Sequence, residues 1–167
     1  ILQHIMNGYA AAGFRKFVVA LGYRGDVIKQ YFLNYSANTH DLTVTLGKNT
    51  NVVFHENSVP SADGWEITLA ETGLNTMTGG RVGRIKKYVE QDDTFMLTYG
   101  DGVANVDIKS LIEFHRRHGR AVTVTGVYPP DRFGEISVKN DFEVVGFNEK
   151  PQTTGGLISG GFFVCNR

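Results

Sequence analysis

Asp101 stands between two glycines, Gly100 and Gly102, directly after the apolar run of residues 94–98. A carboxylate just beyond the carboxyl end of a buried strand lies where open α/β sheets bind ligands. The glycines leave the backbone bare, so a bulky ligand can approach. A single carboxylate is a hard oxygen donor of the kind Mg²⁺ uses beside phosphate groups. Gly-Asp-Gly is equally a turn sequence, and the motif alone leaves both readings open.

Three further stretches carry chemistry. Residues 72–81 form a loop rich in glycine and threonine that opens a helix and contains Thr76 and Arg81. Free N–H groups at a helix start attract phosphate, and a guanidinium fork fits its oxygens. The alternative is an ordinary helix start with a solvated arginine. Neither a Walker loop nor a dinucleotide glycine fingerprint is present. At Glu149-Lys150-Pro151, the proline holds the preceding residue extended. Lys150 could then reach a phosphate and Glu149 could accept from hydroxyls, unless the two are merely a solvated charge pair. Gly160 and Gly161 lie inside a strand-like run. Glycine there weakens a strand unless a ligand or another backbone comes close, or a bulge needs it.

Other candidates carry less. His115 and His118 fall near each other on a helix, but His115 sits on its apolar stripe and reads as a packed histidine. His4, His40 and His55 are isolated. Cys165, the only cysteine, reads as a core residue and excludes an internal disulfide.

These residues need elements to hold them. Ile1, Leu2, Ile5, Met6 and Tyr9 recur at helical spacing, and Gly13 is placed to end the helix. Residues 17–21 and 94–98 are continuous apolar runs, as in strands buried on both faces. Residues 121–128 read as a third inner strand. Asp26 and Asp107 are candidate helix caps. Val82, Ile85 and Val89 share one helical face after Thr78. Residues 41–46, 52–54 and 65–69 suggest an antiparallel arm broken by a polar loop with Pro60. Residues 134–138 and 142–147 flank a hairpin turn at 139–141. The grammar is α/β: a mixed, mainly parallel sheet with helices on both faces and an antiparallel arm.

The chain has 167 residues, 41% of them hydrophobic, and 17 basic against 17 acidic side chains. That length fits one domain, residues 1–167. Zero net charge argues against a general nucleic-acid binder. No apolar run is long enough for a bilayer, and no basic-then-apolar leader opens the chain. A cytoplasmic location, with no membrane partner, is therefore the expectation. Ile1 already belongs to a helical pattern and Arg167 ends a strand, so the chain reads as incomplete at both ends.

Six motifs in order resemble the sugar-1-phosphate nucleotidyltransferases, and their cytidylyl-transferring branch in particular. They are Ile1-Leu2-Gln3-His4-Ile5-Met6, Thr76-Met77-Thr78-Gly79-Gly80-Arg81, Tyr99-Gly100-Asp101-Gly102-Val103, Arg132-Phe133-Gly134, Glu149-Lys150-Pro151 and Ile158-Ser159-Gly160-Gly161-Phe162-Phe163. The resemblance implies a Rossmann-like fold, Mg²⁺ as cofactor, and CTP and glucose 1-phosphate as substrates, giving CDP-glucose and pyrophosphate. It implies that Asp101 binds the metal and acts catalytically with Arg81. It further implies that Thr76, Arg81 and Gly100 meet the nucleotide. Glu149, Lys150, Gly160 and Gly161 would hold the sugar phosphate. Self-association, through the arm or the first helix, is expected too. The family's glycine-rich nucleotide loop would precede Ile1, and its second metal aspartate would follow Arg167. The chain alone is therefore expected to be nearly inactive. Transfer from UTP or dTTP, and a non-catalytic sugar-phosphate or nucleotide-binding module, are the other readings. A metal-dependent glycosyltransferase usually wants an Asp-x-Asp pair, and here Tyr99 and Val103 flank Asp101 two positions away.

Overall fold

The structure is a computed structural model that describes residues 1–55, 62, 64–129, 135–139, 144–148 and 156–167. The chain divides into two compact units, Met6–Gln91 and Ile1–Ile5 with Asp92–Arg167. Helix α1 (Leu2–Ala11) runs from one into the other. Its apolar positions Ile5, Met6 and Tyr9 are buried, and Gly13 follows it with a φ of 102° that suits glycine.

In the Met6–Gln91 unit, β1 (Lys16–Leu21) precedes α2 (Gly25–Leu33) and α3 (Tyr35–Thr39). Strands β2 (Leu42–Thr45) and β3 (Asn51–Phe54) form an antiparallel hairpin. This is the expected arm, and all its strand residues are exposed. Strand β4 (Glu66–Glu71) does not join it. It pairs in parallel with β1, from Lys16 opposite Glu66 to Leu21 opposite Glu71. Parallel strands need a long crossover, and residues 22–65 supply it. Short α4 (Thr78–Arg84) and α5 (Lys86–Val89) close the unit. The sequence suggested one helix here; Ile85, buried between the two, interrupts it. Asp26 is not a cap either. Arg24 holds the N-cap position in a left-handed conformation, and Asp26 lies in the first turn of α2.

In the other unit, β5 (Thr94–Thr98) leads to α6 (Ile108–His118), then β6 (Val122–Val127), β7 (Glu135–Val138), β8 (Val144–Asn148) and β9 (Ile158–Asn166). The order in the sheet is β5-β9-β6, antiparallel throughout, while β7 and β8 form a separate hairpin. The α/β class read from the sequence holds, with both parallel and antiparallel strands. Among the described pairings only β1–β4 is parallel, so the balance leans further to antiparallel than the buried runs suggested. Strand β6, expected inside, lies at the sheet edge, with Val122 and Val124 about half exposed.

Asp107 caps α6 as expected. Ser110 donates to it twice, N–H to Oδ1 at 3.0 Å and hydroxyl to Oδ2 at 2.8 Å. These donors favour the carboxylate and hold its pKa below the usual aspartate value. Gly119 ends the helix at φ 64°. Ile108, Ile112 and His115 are buried on α6, which packs on β6 and β9.

His115 is thus a packed histidine, and its partners form a closed circuit. The Arg120 N–H donates to His118 Nδ1 at 2.9 Å, which puts that ring's hydrogen on Nε2. His118 Nε2 donates to Thr123 Oγ1 at 2.6 Å, leaving the Thr123 hydroxyl to donate to His115 Nδ1 at 2.8 Å. His115 Nε2 donates to Asn166 Oδ1 at 2.9 Å, and Asn166 Nδ2 returns to the Arg120 carbonyl at 3.1 Å. Thr123→Val strands one imidazole nitrogen on each side. It is expected to cost about 2 kcal/mol, the usual penalty for orphaned buried polar groups. Urea unfolding should show this as a lower midpoint at unchanged slope.

Candidate functional site

In the unit holding β5, residues 99–103 leave the sheet just after Thr98. Asp101 and its neighbours Gly100 and Gly102 are all exposed. The nearest atom to a Cβ built on Gly100 is Leu2 Cδ1 at 3.8 Å, an ordinary contact, and nothing lies within 4 Å of one on Gly102. The turn is therefore open on both sides of the carboxylate. Among the described residues no group of three or more His, Cys, Asp or Glu side chains could hold a metal ion. Asp101 alone fits Mg²⁺ that draws its other ligands from water and substrate phosphates. It does not fit an all-protein cage.

The two glycines of β9 lie beside this turn. Between Val124/Phe163 and Gly126/Ser159 the β6–β9 register slips by two residues, so Gly160 and Gly161 occupy a bulge. Gly161 has φ 80°, and a Cβ there would sit 2.8 Å from Tyr99 Cδ2. Tyr99 in turn meets Phe163 edge-on, with ring centroids 6.2 Å apart. A Cβ on Gly160 would approach Val127 Cγ1 and the Thr125 carbonyl to 3.0 and 3.1 Å. Gly161 is thus needed by its backbone and by the Tyr99 ring, and Gly160 sits in tight contact with its neighbours. The space beside Gly161 is filled by the Tyr99 ring, and the space beside Gly160 by Val127 and the Thr125 carbonyl.

In the Met6–Gln91 unit, the loop after β4 is held by two arginines of α4. The Leu21 carbonyl, at the end of β1, accepts from the Thr72 N–H at 3.0 Å, the Thr72 hydroxyl at 2.6 Å and Arg81 Nη1 at 2.9 Å. Arg81 Nη1 also donates to Thr72 Oγ1 at 2.6 Å, and Nη2 to the Leu74 carbonyl at 3.2 Å. Among the described residues these bonds use three of the five guanidinium hydrogens. Arg81 is therefore a strut across the β1 and β4 ends with two N–H groups left to offer a ligand. Gly22 makes room for it, since a Cβ there would fall 2.5 Å from both Nη1 and Nη2. Arg84, three residues on and so on the same helical face, donates to the Thr72 carbonyl and to Thr76 Oγ1 at 2.8 Å. Arg84 lies outside the motif read from the sequence, and Thr72, within it, takes a role that the motif did not assign. The i,i+3 spacing of Arg81 and Arg84 behind the loop is the signal that could have found Arg84.

Asp101, Gly100, Gly160 and Gly161 thus belong to one unit, and Thr76 and Arg81 to the other. Glu149 and Lys150 lie outside the described residues, as do the motif at 132–134 and most of the polar loop around Pro60. No helix among the described residues is long and apolar enough to cross a membrane.

Comparison with known proteins bears on what this arrangement serves. The family described as nucleotidyl transferase matches residues 1–167. The glucose-1-phosphate cytidylyltransferases of Salmonella typhimurium and Salmonella typhi are each 45% identical over 166 residues, covering 99% of this chain. The chain spans 63% of the length of those relatives. The crystal structure of HddC from Yersinia pseudotuberculosis shares the fold, with a TM-score of 0.60 and 21% identity, over 99% of this chain and 62% of that one.

Proposed function

This chain belongs to the nucleotidyl transferase family, and we propose that the protein it represents transfers a cytidylyl group from CTP to glucose 1-phosphate. The observation that carries the reading is the 45% identity to glucose-1-phosphate cytidylyltransferases over 99% of the chain. An oxygen of the sugar phosphate attacks the α-phosphorus of CTP. The bond from that phosphorus to the β-phosphate oxygen breaks, and CDP-glucose and pyrophosphate result. Such transfers ask the protein chiefly for positioning and charge neutralisation.

In this reading Asp101 holds Mg²⁺, which when bound neutralises phosphate charge. Its open position between Gly100 and Gly102 supports the role. Gly100 lets the nucleotide lie against the backbone. Thr76 and the two uncommitted N–H groups of Arg81 meet the nucleotide, with Arg81 contributing to catalysis. Glu149 and Lys150 hold the sugar phosphate, and the backbone at Gly160 and Gly161 faces the sugar. The chain acts as one domain and works in the cytoplasm. Its exposed, apolar β2–β3 hairpin supports self-association.

The test is pyrophosphate release by the chain extended with the flanking segments of its relatives, with glucose 1-phosphate and Mg²⁺, comparing CTP, UTP and dTTP. Preference for CTP supports the reading. Preference for UTP or dTTP keeps the reaction class and overturns the nucleotide. Binding without turnover by a chain that includes the flanking segments of its relatives would leave a nucleotide- or sugar-phosphate-binding module.

A further inference from the structure

Arg84 appears in none of the site motifs, yet it is wired to one of their residues. We infer that Arg84 is a positioning residue that turns the loop at residues 72–77 into a hydrogen-bond donor surface for the nucleotide. This rests on the proposed nucleotide role of Thr76.

A threonine hydroxyl has one hydrogen and two lone pairs. Arg84 Nη1 can only donate, so at 2.8 Å it takes a lone pair of Thr76 Oγ1. The hydroxyl hydrogen is then directed away from Arg84 and meets no acceptor among the described residues. The loop backbone is treated in the same way. The Thr72 carbonyl is capped by Arg84, and the Leu74 carbonyl by Arg81. The N–H groups of Gly73, Leu74 and Asn75 meet no acceptor among the described residues. Arginine side chains thus mask acceptors on the loop while donors remain, and two positive charges sit behind it. A surface of that type binds oxygen acceptors, either phosphate oxygens or the carbonyl of the base.

The local packing makes the arrangement specific. Gly73, at φ 89°, leaves space that a Cβ would deny, 2.6 Å from Arg84 Nη1 and 2.9 Å from Thr76 Oγ1. A Cβ on Gly80 would meet Thr76 Cγ2 at 2.8 Å. Thr76 is therefore held from two sides, by the glycine of its own loop and by the helix that follows.

The experiment is a double-variant cycle in steady-state kinetics on the protein with the flanking segments of its relatives, with CTP titration by calorimetry on the same proteins. Arg84→Met should raise the KM for CTP and the calorimetric Kd about tenfold, the scale of one charge-assisted hydrogen bond. The KM for the sugar phosphate should stay constant and kcat should change by less than about twofold, as for loss of ground-state binding. Thr76→Val should do the same, and the double variant no more than either alone. Arg84→Lys should recover part of the loss, since an ammonium reaches one of the two acceptors. Additive effects, a fall in kcat alone, or an unchanged Kd with the protein still folded would overturn the inference. A tenfold loss of CTP binding in a parent protein that shows no turnover would sink cytidylyl transfer and retain the role of Arg84. Discrimination between acceptors comes from titrating inorganic triphosphate. The same loss there assigns the loop to the phosphates, and loss confined to CTP assigns it to the base.

Discussion

Asp101→Ala is expected to lower metal-dependent pyrophosphate release by about a thousandfold, the scale seen when one electrostatic stabiliser of a transition state is removed. Its unfolding midpoint should not move, because the side chain is exposed. The combination is diagnostic. A turn residue would lose stability and keep its chemistry, whereas a metal ligand loses chemistry and keeps its stability. Raising Mg²⁺ should restore little activity to Asp101→Ala and more to Asp101→Asn, which keeps one oxygen donor in place. A drop of only a few-fold, uniform in kcat and all KM values, would return Asp101 to the role of a turn former.

Gly161→Val is expected to cost about 3 kcal/mol or more, combining a left-handed backbone on a β-branched residue with an overpacked contact. The structure separates the two causes. The backbone sits at φ 80°, and the added Cβ would overlap Tyr99 Cδ2. In a Tyr99→Ala background the overlap with the ring disappears, so Gly161→Val there should cost only the conformational part, about 1 to 2 kcal/mol. Equal losses in both backgrounds would mean that the ring moves aside freely. Activity adds a further readout. Displacing Tyr99 shifts the backbone two residues before Asp101, so the surviving folded protein should turn over more slowly.

Much of this site is written locally in the chain. The run at residues 94–98 followed by a glycine-flanked aspartate marks a strand end with an open carboxylate, and that is where Asp101 lies. Helix α6 was legible because both of its ends carry their own chemistry, an Asp107 cap and a Gly119 stop. What failed was information held by distant partners. Glu66–Glu71 looks like part of the neighbouring arm until β1 is placed beside it. Thr123 alternates with Val122 and Val124, so pattern alone turns the valines inward. Hydrogen bonds to two histidines turn Thr123 inward instead. Gly161 was recognised as a position that clears space, but only the fold shows that Tyr99 fills it. Arg84 drew no reading from the sequence, because its acceptors, the Thr72 carbonyl and Thr76, are brought to it only by the folding of the preceding loop.

The order of strands has a consequence for how the protein is made. In the sheet β5-β9-β6 the middle strand is the last of the three in the chain. As the polypeptide leaves the ribosome, β5 and β6 emerge first and have no ladder partner in each other. Each offers an unpaired edge until Ile158–Asn166 arrives and is inserted between them. The hydrogen-bond circuit closes through Asn166, so it too waits for the same segment. This half of the chain therefore gains its cooperativity late, in one step. A nascent chain stalled before residue 158 carries two open strand edges at once, the condition under which unfinished sheets pair with their neighbours instead.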